Sequence, residues 1–175
     1  MHIGNPPHAV CPSRSVQKWT AALGESLSTV IPSEQDVLSA ANKIVDAFAT
    51  TNTQEYFSLF APEASFIFHP ESARLNDRAS YESLWNSWLA EGWQVTGCRS
   101  SQQLVQVFAG GAIFSHTVAT DIKTGTDAEN ITTDSYVERE TIVFRQEEDG
   151  SLIAIHEHLS TVPEEASTEA NGGNA

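Results

Sequence analysis

The chain has 175 residues, with 23 Asp and Glu against 9 Lys and Arg, and a formal net charge of −14. That length suits one domain with tails rather than two domains. Hydrophobic residues make up 40%, with 4 Trp, 8 Phe and 3 Tyr, enough apolar bulk to argue against a disordered acidic protein, while the charge argues against nucleic acid or an anionic membrane as partner.

Residues 1–32 carry Pro6, Pro7, Pro12 and Pro32 in a stretch of low apolar content and read as a mobile extension. Within it Trp19, Leu23 and Leu27 recur at steps of four, so Val16–Val30 fits a short docking helix, weakened by Gly24. The start lacks an apolar run of signal-peptide length, and no stretch approaches the ~20 apolar residues of a membrane span. Cytoplasm is the expected location. Cys11 and Cys98 read as free thiols, a single disulfide being the open alternative, and neither belongs to a paired metal-ligand motif.

Residues 33–163 form the predicted folding unit. Ser33 followed by Asp36 suits a helix start, and Val37, Ala40, Ala41, Ile44, Val45 and Phe48 then recur at helical spacing. Thr53–Phe60 repeats the pattern with Tyr56, Phe57 and Phe60 inward, and Ala61-Pro62 ends it. Ser65–His69 is short and aromatic, hence a strand. Ser80–Gly92 is a third helix, with Tyr81, Leu84, Trp85 and Trp88 on one face. Residues 93–109, 112–122, 135–146 and 151–162 alternate in polarity and are separated by turn residues, which predicts four consecutive antiparallel strands. The polar segment 164–175 reads as a disordered acidic tail. The class is therefore α+β, a curved antiparallel sheet covered on one face by three N-terminal helices, and the half-covered cone forms a pocket.

This element order resembles the nuclear-transport-factor-2-like fold. Glu55-Tyr56, Ala61-Pro62-Glu63 and the run from Glu140-Thr141 to Arg145, through Asp149-Gly150, to His156, His158 and Ser160 resemble the SnoaL-like proteins. The closing hairpin is also similar to that of the association domain of calcium/calmodulin-dependent protein kinase. The resemblance covers about residues 36–162. It implies a homodimer through the sheet and a pocket that serves, across the superfamily, isomerases, dehydratases, hydrolases and assembly hubs. Where the kinase domain carries two pocket arginines this chain has Ile142 and Leu159, which argues against an anion-binding pocket of that kind.

With the turn near Glu147–Gly150, the last two strands are expected to pair Phe144 with Ile153, Ile142 with Ile155 and Glu140 with Glu157. These residues share the inner face. Arg139, Thr141, Val143, Ala154, His156 and His158 fall on the outer face, with Arg139 across from His158. Two carboxylates side by side at the end of an apolar cleft cannot both ionise cheaply, so one holds a proton or a cation sits between them; the plainer alternative is that the cleft is wet and both are solvated. Strand alternation puts Phe114, His116, Val118 and Thr120 inward, so His116 faces the same cavity, or is simply a hydrogen-bonded histidine within the sheet. Glu140, Glu157 and His116 are the candidate catalytic residues, and Tyr81, Trp88, Ile142, Phe144 and Ile155 the candidate ligand-binding ones. His156 and His158 project the same way, but Arg139 beside them would repel a metal, and a dimer contact fits them better. No phosphate-binding loop or nucleophile elbow occurs, and neither cofactor nor metal is expected. The ligand is a small, largely apolar, neutral or cationic molecule. The function is either proton-transfer chemistry (isomerisation, dehydration or hydrolysis) or non-catalytic sensing or oligomerisation.

Overall fold

A computed structural model describes residues 30–127 and 129–163. The expected docking helix over Val16–Val30, apart from Val30 itself, and the expected tail from Glu164 lie outside these residues. No helix among the described residues is long and apolar enough to cross a membrane.

The fold is α+β, with three helices, α1 (Glu34–Ala49), α2 (Thr53–Ser58) and α3 (Arg78–Ala90), against a curled, unclosed sheet of five strands. The strands are β1 (Phe60–Phe68), β2 (Gln94–Phe108), β3 (Gly111–Thr124), β4 (Thr132–Gln146) and β5 (Leu152–Thr161), in the spatial order β1-β5-β4-β3-β2. Each helix begins at a side-chain cap that satisfies an otherwise orphaned N–H: Ser33 accepts from Asp36 N, Asn52 from Glu55 N, and Asp77 from Ser80 N. On α1 the buried residues are Val37, Ala41, Ile44 and Ala47, a stripe at helical spacing that faces the sheet.

The four strands β2–β5 form the expected antiparallel meander, and β1 joins it in parallel beside β5, Ser65 opposite His156 and Phe68 opposite Leu159. The strand begins at Phe60 rather than Ser65, because α2 stops at Ser58 and the chain passes directly into the sheet through Ala154 N–H donating to Leu59 O. Pro62 thus lies inside a strand instead of ending a helix. β1 is an edge strand and its register shifts between Phe60 and Ser65, so a residue without an N–H fits there.

The last hairpin departs from the expected register. Phe144 lies opposite Ala154, Ile142 opposite Glu157, Glu140 opposite Leu159, Thr141 opposite His158 and Arg139 opposite Ser160. Two one-residue shifts produce this pairing. The turn, closed by Glu147 N to Ser151 O and Gly150 N to Glu147 O, is one residue longer than expected. Ile155 is then an unpaired extra residue on β5, since Val143 pairs with His156 and Phe144 with Ala154. Below the bulge the single shift turns Ala154 inward, fully buried, in place of Ile153; above it the two shifts together restore parity, and Glu157 stays inward.

The core between the layers is largely aromatic. Trp85 is fully buried, stacks on Tyr56 at 5.1 Å between ring centroids, and donates its indole N–H to Thr53 Oγ1 at 2.9 Å. Phe60, Phe66, Phe114 and Phe144 close the apolar end of the sheet beneath it.

Candidate functional site

Toward the other end of the sheet the core opens into a cavity of about 450 Å³. Ile44 and Phe48 of α1, Tyr56 of α2, and Tyr81 and Trp88 of α3 wall it on the helical side, with Trp93 beside them. The sheet supplies Val118 and Thr120 from β3, Glu138 and Glu140 from β4, and Glu157 and Leu159 from β5. Ile142 and Phe144 are buried in the core instead and do not line the cavity; neither does Ile155, the unpaired bulge residue, which is half-buried against the core. Tyr81 and Trp88 do line it.

Alternation along β3 and β4 brings the polar groups together. His116 faces inward but, with no side-chain exposure, does not line the cavity as expected; its Nε2 is hydrogen-bonded to Glu140 Oε2, which does. The cross-strand pairing of His116 with Glu140 makes this contact. Glu157, 2% exposed, receives the Tyr56 hydroxyl proton at Oε2 over 2.9 Å, and the Tyr81 hydroxyl lies 3.5 Å from that of Tyr56. Glu140 and Glu157 are diagonal neighbours on one face rather than directly opposite, Ile142 being the partner of Glu157.

Three residues of this site, Tyr56, His69 and Glu138, carried no prediction as site residues. Glu138 is buried and its Oε1 lies 2.7 Å from His69 Nε2, a contact that ties the segment after β1 to β4. Glu138 sits two before Glu140 on the same strand face, so the alternation that marks Glu140 marks it too. The Tyr56 contact to Glu157 spans 101 positions and the His69 contact to Glu138 spans 69, which no local pattern reports.

The environment separates the protonation behaviour of these groups. Burial, and then the negative charge of Glu140, push the Glu157 carboxyl well above the usual range, against the opposing effect of the Tyr56 hydrogen bond. Burial also raises Glu138, opposed by His69. Tyr56 and Tyr81 are raised by burial, so both remain hydrogen-bond donors. Cys98, in the same wall, is pushed up to about 11 by burial and by Glu140, which leaves it a thiol rather than a nucleophilic thiolate. Among the described residues, no group of three or more His, Cys, Asp or Glu is placed to hold a metal ion.

A pH dependence follows from Glu157. Unfolded, it loses its proton near the ordinary 4.5; folded, it keeps the proton to higher pH. Between those values the folded state binds more protons, so the stability this group contributes is full below 4.5 and is lost as pH rises through the folded value. Glu157→Gln cannot ionise, and is expected to unfold at a higher temperature than the parent at pH 8 with little gain near pH 4. Calorimetry at the two pH values checks this, and an equal gain at both would contradict a proton held by burial.

A family model for the SnoaL-like domain matches residues 37–165. No curated protein matches the chain in sequence. Among solved structures it is similar to a nuclear-transport-factor-2-like superfamily protein from Salmonella enterica, with a TM-score of 0.61 at 14% identity over 81% of this chain and 96% of that one. A ketosteroid isomerase-like protein from Erwinia carotovora atroseptica gives 0.60 at 12% identity, covering 74% and 95%. A calcium/calmodulin-dependent protein kinase II association-domain-like protein from Xanthomonas campestris gives 0.58 at 19%, covering 74% and 88%. With the family model running from the first turn of α1 through β5, the chain belongs to the SnoaL-like domain family and has the nuclear-transport-factor-2-like fold.

Proposed function

We propose that the cavity binds a small, largely apolar, neutral or cationic molecule and moves a proton on it without a cofactor, in an isomerisation, dehydration or hydrolysis. The observation that carries this reading is the pair of carboxyls with opposed surroundings in one aromatic cavity. Glu157 is surrounded so as to keep its proton and serves as the acid. Glu140 accepts a hydrogen bond from His116 and serves as the base, with the imidazole holding its carboxylate in place. Tyr56 holds Glu157 in place. No Lys or Arg occurs among the described residues lining the cavity, which disfavours an anionic ligand. The ketosteroid isomerase-like structural neighbour is consistent with proton-transfer chemistry on this fold.

The test uses matched apolar compounds of similar size bearing a ketone, an amine or a carboxylate. Quenching of the fluorescence of Trp88 and Trp93, which line the cavity, reports binding, and deuterium uptake from D₂O at acidic C–H positions reports proton transfer. Neutral and cationic members are expected to bind and the ketones to exchange. Preferential binding of the carboxylates, or exchange no faster than in buffer, would overturn the reading.

Homodimerisation through the sheet belongs to the same proposal. The outer face carries His156, held to Ser65 Oγ at 2.9 Å, exposed His158, and the exposed apolar side chains Ile67, Leu104 and Phe108. Light scattering is expected to give twice the 19.0 kDa chain mass, and a monomer at micromolar concentration would remove the interface role of His156 and His158.

A further inference from the structure

His116 has a second hydrogen-bond partner, on the side away from Glu140. Its Nδ1 lies 2.6 Å from the hydroxyl of Ser100 on β2, and the Gln103 side-chain amide donates to that same hydroxyl oxygen at 2.8 Å. Four groups thus stand in line, Gln103, Ser100, His116 and Glu140. The direction of the line is set at its outer end, because an amide N–H can only donate and a hydroxyl has one proton to give. Gln103 takes one lone pair of the Ser100 oxygen, and the acceptor that this hydroxyl's contacts offer its single proton is His116 Nδ1. The ring nitrogen facing Ser100 is then the acceptor, and the ring's own proton stands on Nε2, aimed at Glu140.

The backbone is shaped for this arrangement. The β2–β3 register shifts between Ser101 and Leu104, and Gln102 adopts φ 51°, a left-handed conformation unusual for a residue with a side chain. That irregularity brings Gln103 back over Ser100, while Thr117 Oγ1 donates to Gln102 Oε1 at 2.9 Å and fixes the loop to β3. Ser100 does not line the cavity, so the Ser-His-Glu line does not present a nucleophile to a ligand there.

We infer that Ser100 and Gln103 are positioning residues that fix the proton of His116 on Nε2, so that the ring donates to Glu140 and steadies it as the base facing the cavity. This rests on the proposed role of Glu140, but its primary test does not require turnover. In nitrogen-15 spectra of the imidazole, the wild-type protein at neutral pH is expected to show His116 Nδ1 unprotonated and Nε2 protonated. Gln103→Glu replaces an exposed donor by an acceptor; it should draw the Ser100 proton outward, leave the hydroxyl oxygen toward the ring and place a proton on Nδ1. Gln103→Leu frees the Ser100 oxygen to accept from the ring, so the preference for Nε2 should weaken and a share of the proton should appear on Nδ1. Ser100→Ala should speed solvent exchange of the ring proton, and Ser100→Thr, which retains the hydroxyl, should restore the wild-type spectrum. A proton on Nδ1 in the wild-type protein, or a Gln103→Glu spectrum identical to it, would overturn the inference. On a turned-over compound, Gln103→Glu should lower kcat about tenfold with KM unchanged, the scale of loss usual when a supporting partner is removed. Full activity in Glu140→Gln would instead remove the base assignment while leaving the nitrogen result standing.

Discussion

Glu140→Gln and Glu157→Gln are each expected to lower kcat by roughly 100- to 10,000-fold, the contribution ordinarily made by a positioned acid or base. Both substitutions nearly preserve shape. The amide introduced by Glu140→Gln still offers an oxygen to the Nε2–H of His116, and that of Glu157→Gln offers one to the Tyr56 hydroxyl, so the hydrogen bonds that hold the wild-type side chains in place can survive. What is lost is the ability to gain or release a proton. Because the two groups act in one transfer, the double variant should be little slower than either single one, as expected for residues that work as a unit. Turnover of the compound identified by deuterium uptake, together with circular dichroism to show an unchanged fold, is the measurement. Full activity in either variant would remove that residue from the mechanism.

The largest effect on stability is expected at Trp85. Its side chain has no exposed surface and packs between Phe48, Tyr56, Phe57 and Trp93. Trp85→Ala removes the largest buried side chain of the core and leaves the Thr53 hydroxyl without its indole partner, at a cost of about 3–5 kcal/mol. Domains of this kind are held together by roughly 5–15 kcal/mol, so the variant is expected to lie near the edge of folding at ambient temperature. Urea unfolding measures the loss, and Trp85→Phe, which keeps most of the volume, should cost less. A loss below about 1 kcal/mol would mean that the site collapses without leaving a cavity. Tyr56, stacked on Trp85 and bonded to Glu157, links this packing to the cavity chemistry.

Local periodicity carried most of the architecture. Val37, Ala41 and Ile44 of the buried α1 stripe and the inward set Phe114, His116, Val118 and Thr120 can be read from spacing alone, because helices and strands impose fixed periods on burial. Register was less legible, since the turn and the bulge at Ile155 each add one residue without a composition signal. Their sum left Glu140 and Glu157 on one face, but each shift alone would have turned Glu157 outward, and the single shift below the bulge is what exchanged Ile153 for Ala154. The partners of Glu157 and Glu138, Tyr56 and His69, come from the distant helical half of the chain, so they emerge only when the layers are packed.

The parallel pairing of β1 with β5 has a consequence for how the protein is made. Phe60 leaves the ribosome about 90 residues before Ala154, its partner in the sheet. At ordinary elongation rates that interval is on the order of 5–20 s. Throughout it Phe60, Phe66 and Phe68 lack their β5 partners, with the Phe66–Leu75 bridge as a local contact, while β2, β3 and β4 can already pair with one another through short turns. Sealing this sheet therefore waits for β5, the last of the five strands in chain order, and such late long-range pairing is slow and leaves apolar surface exposed meanwhile.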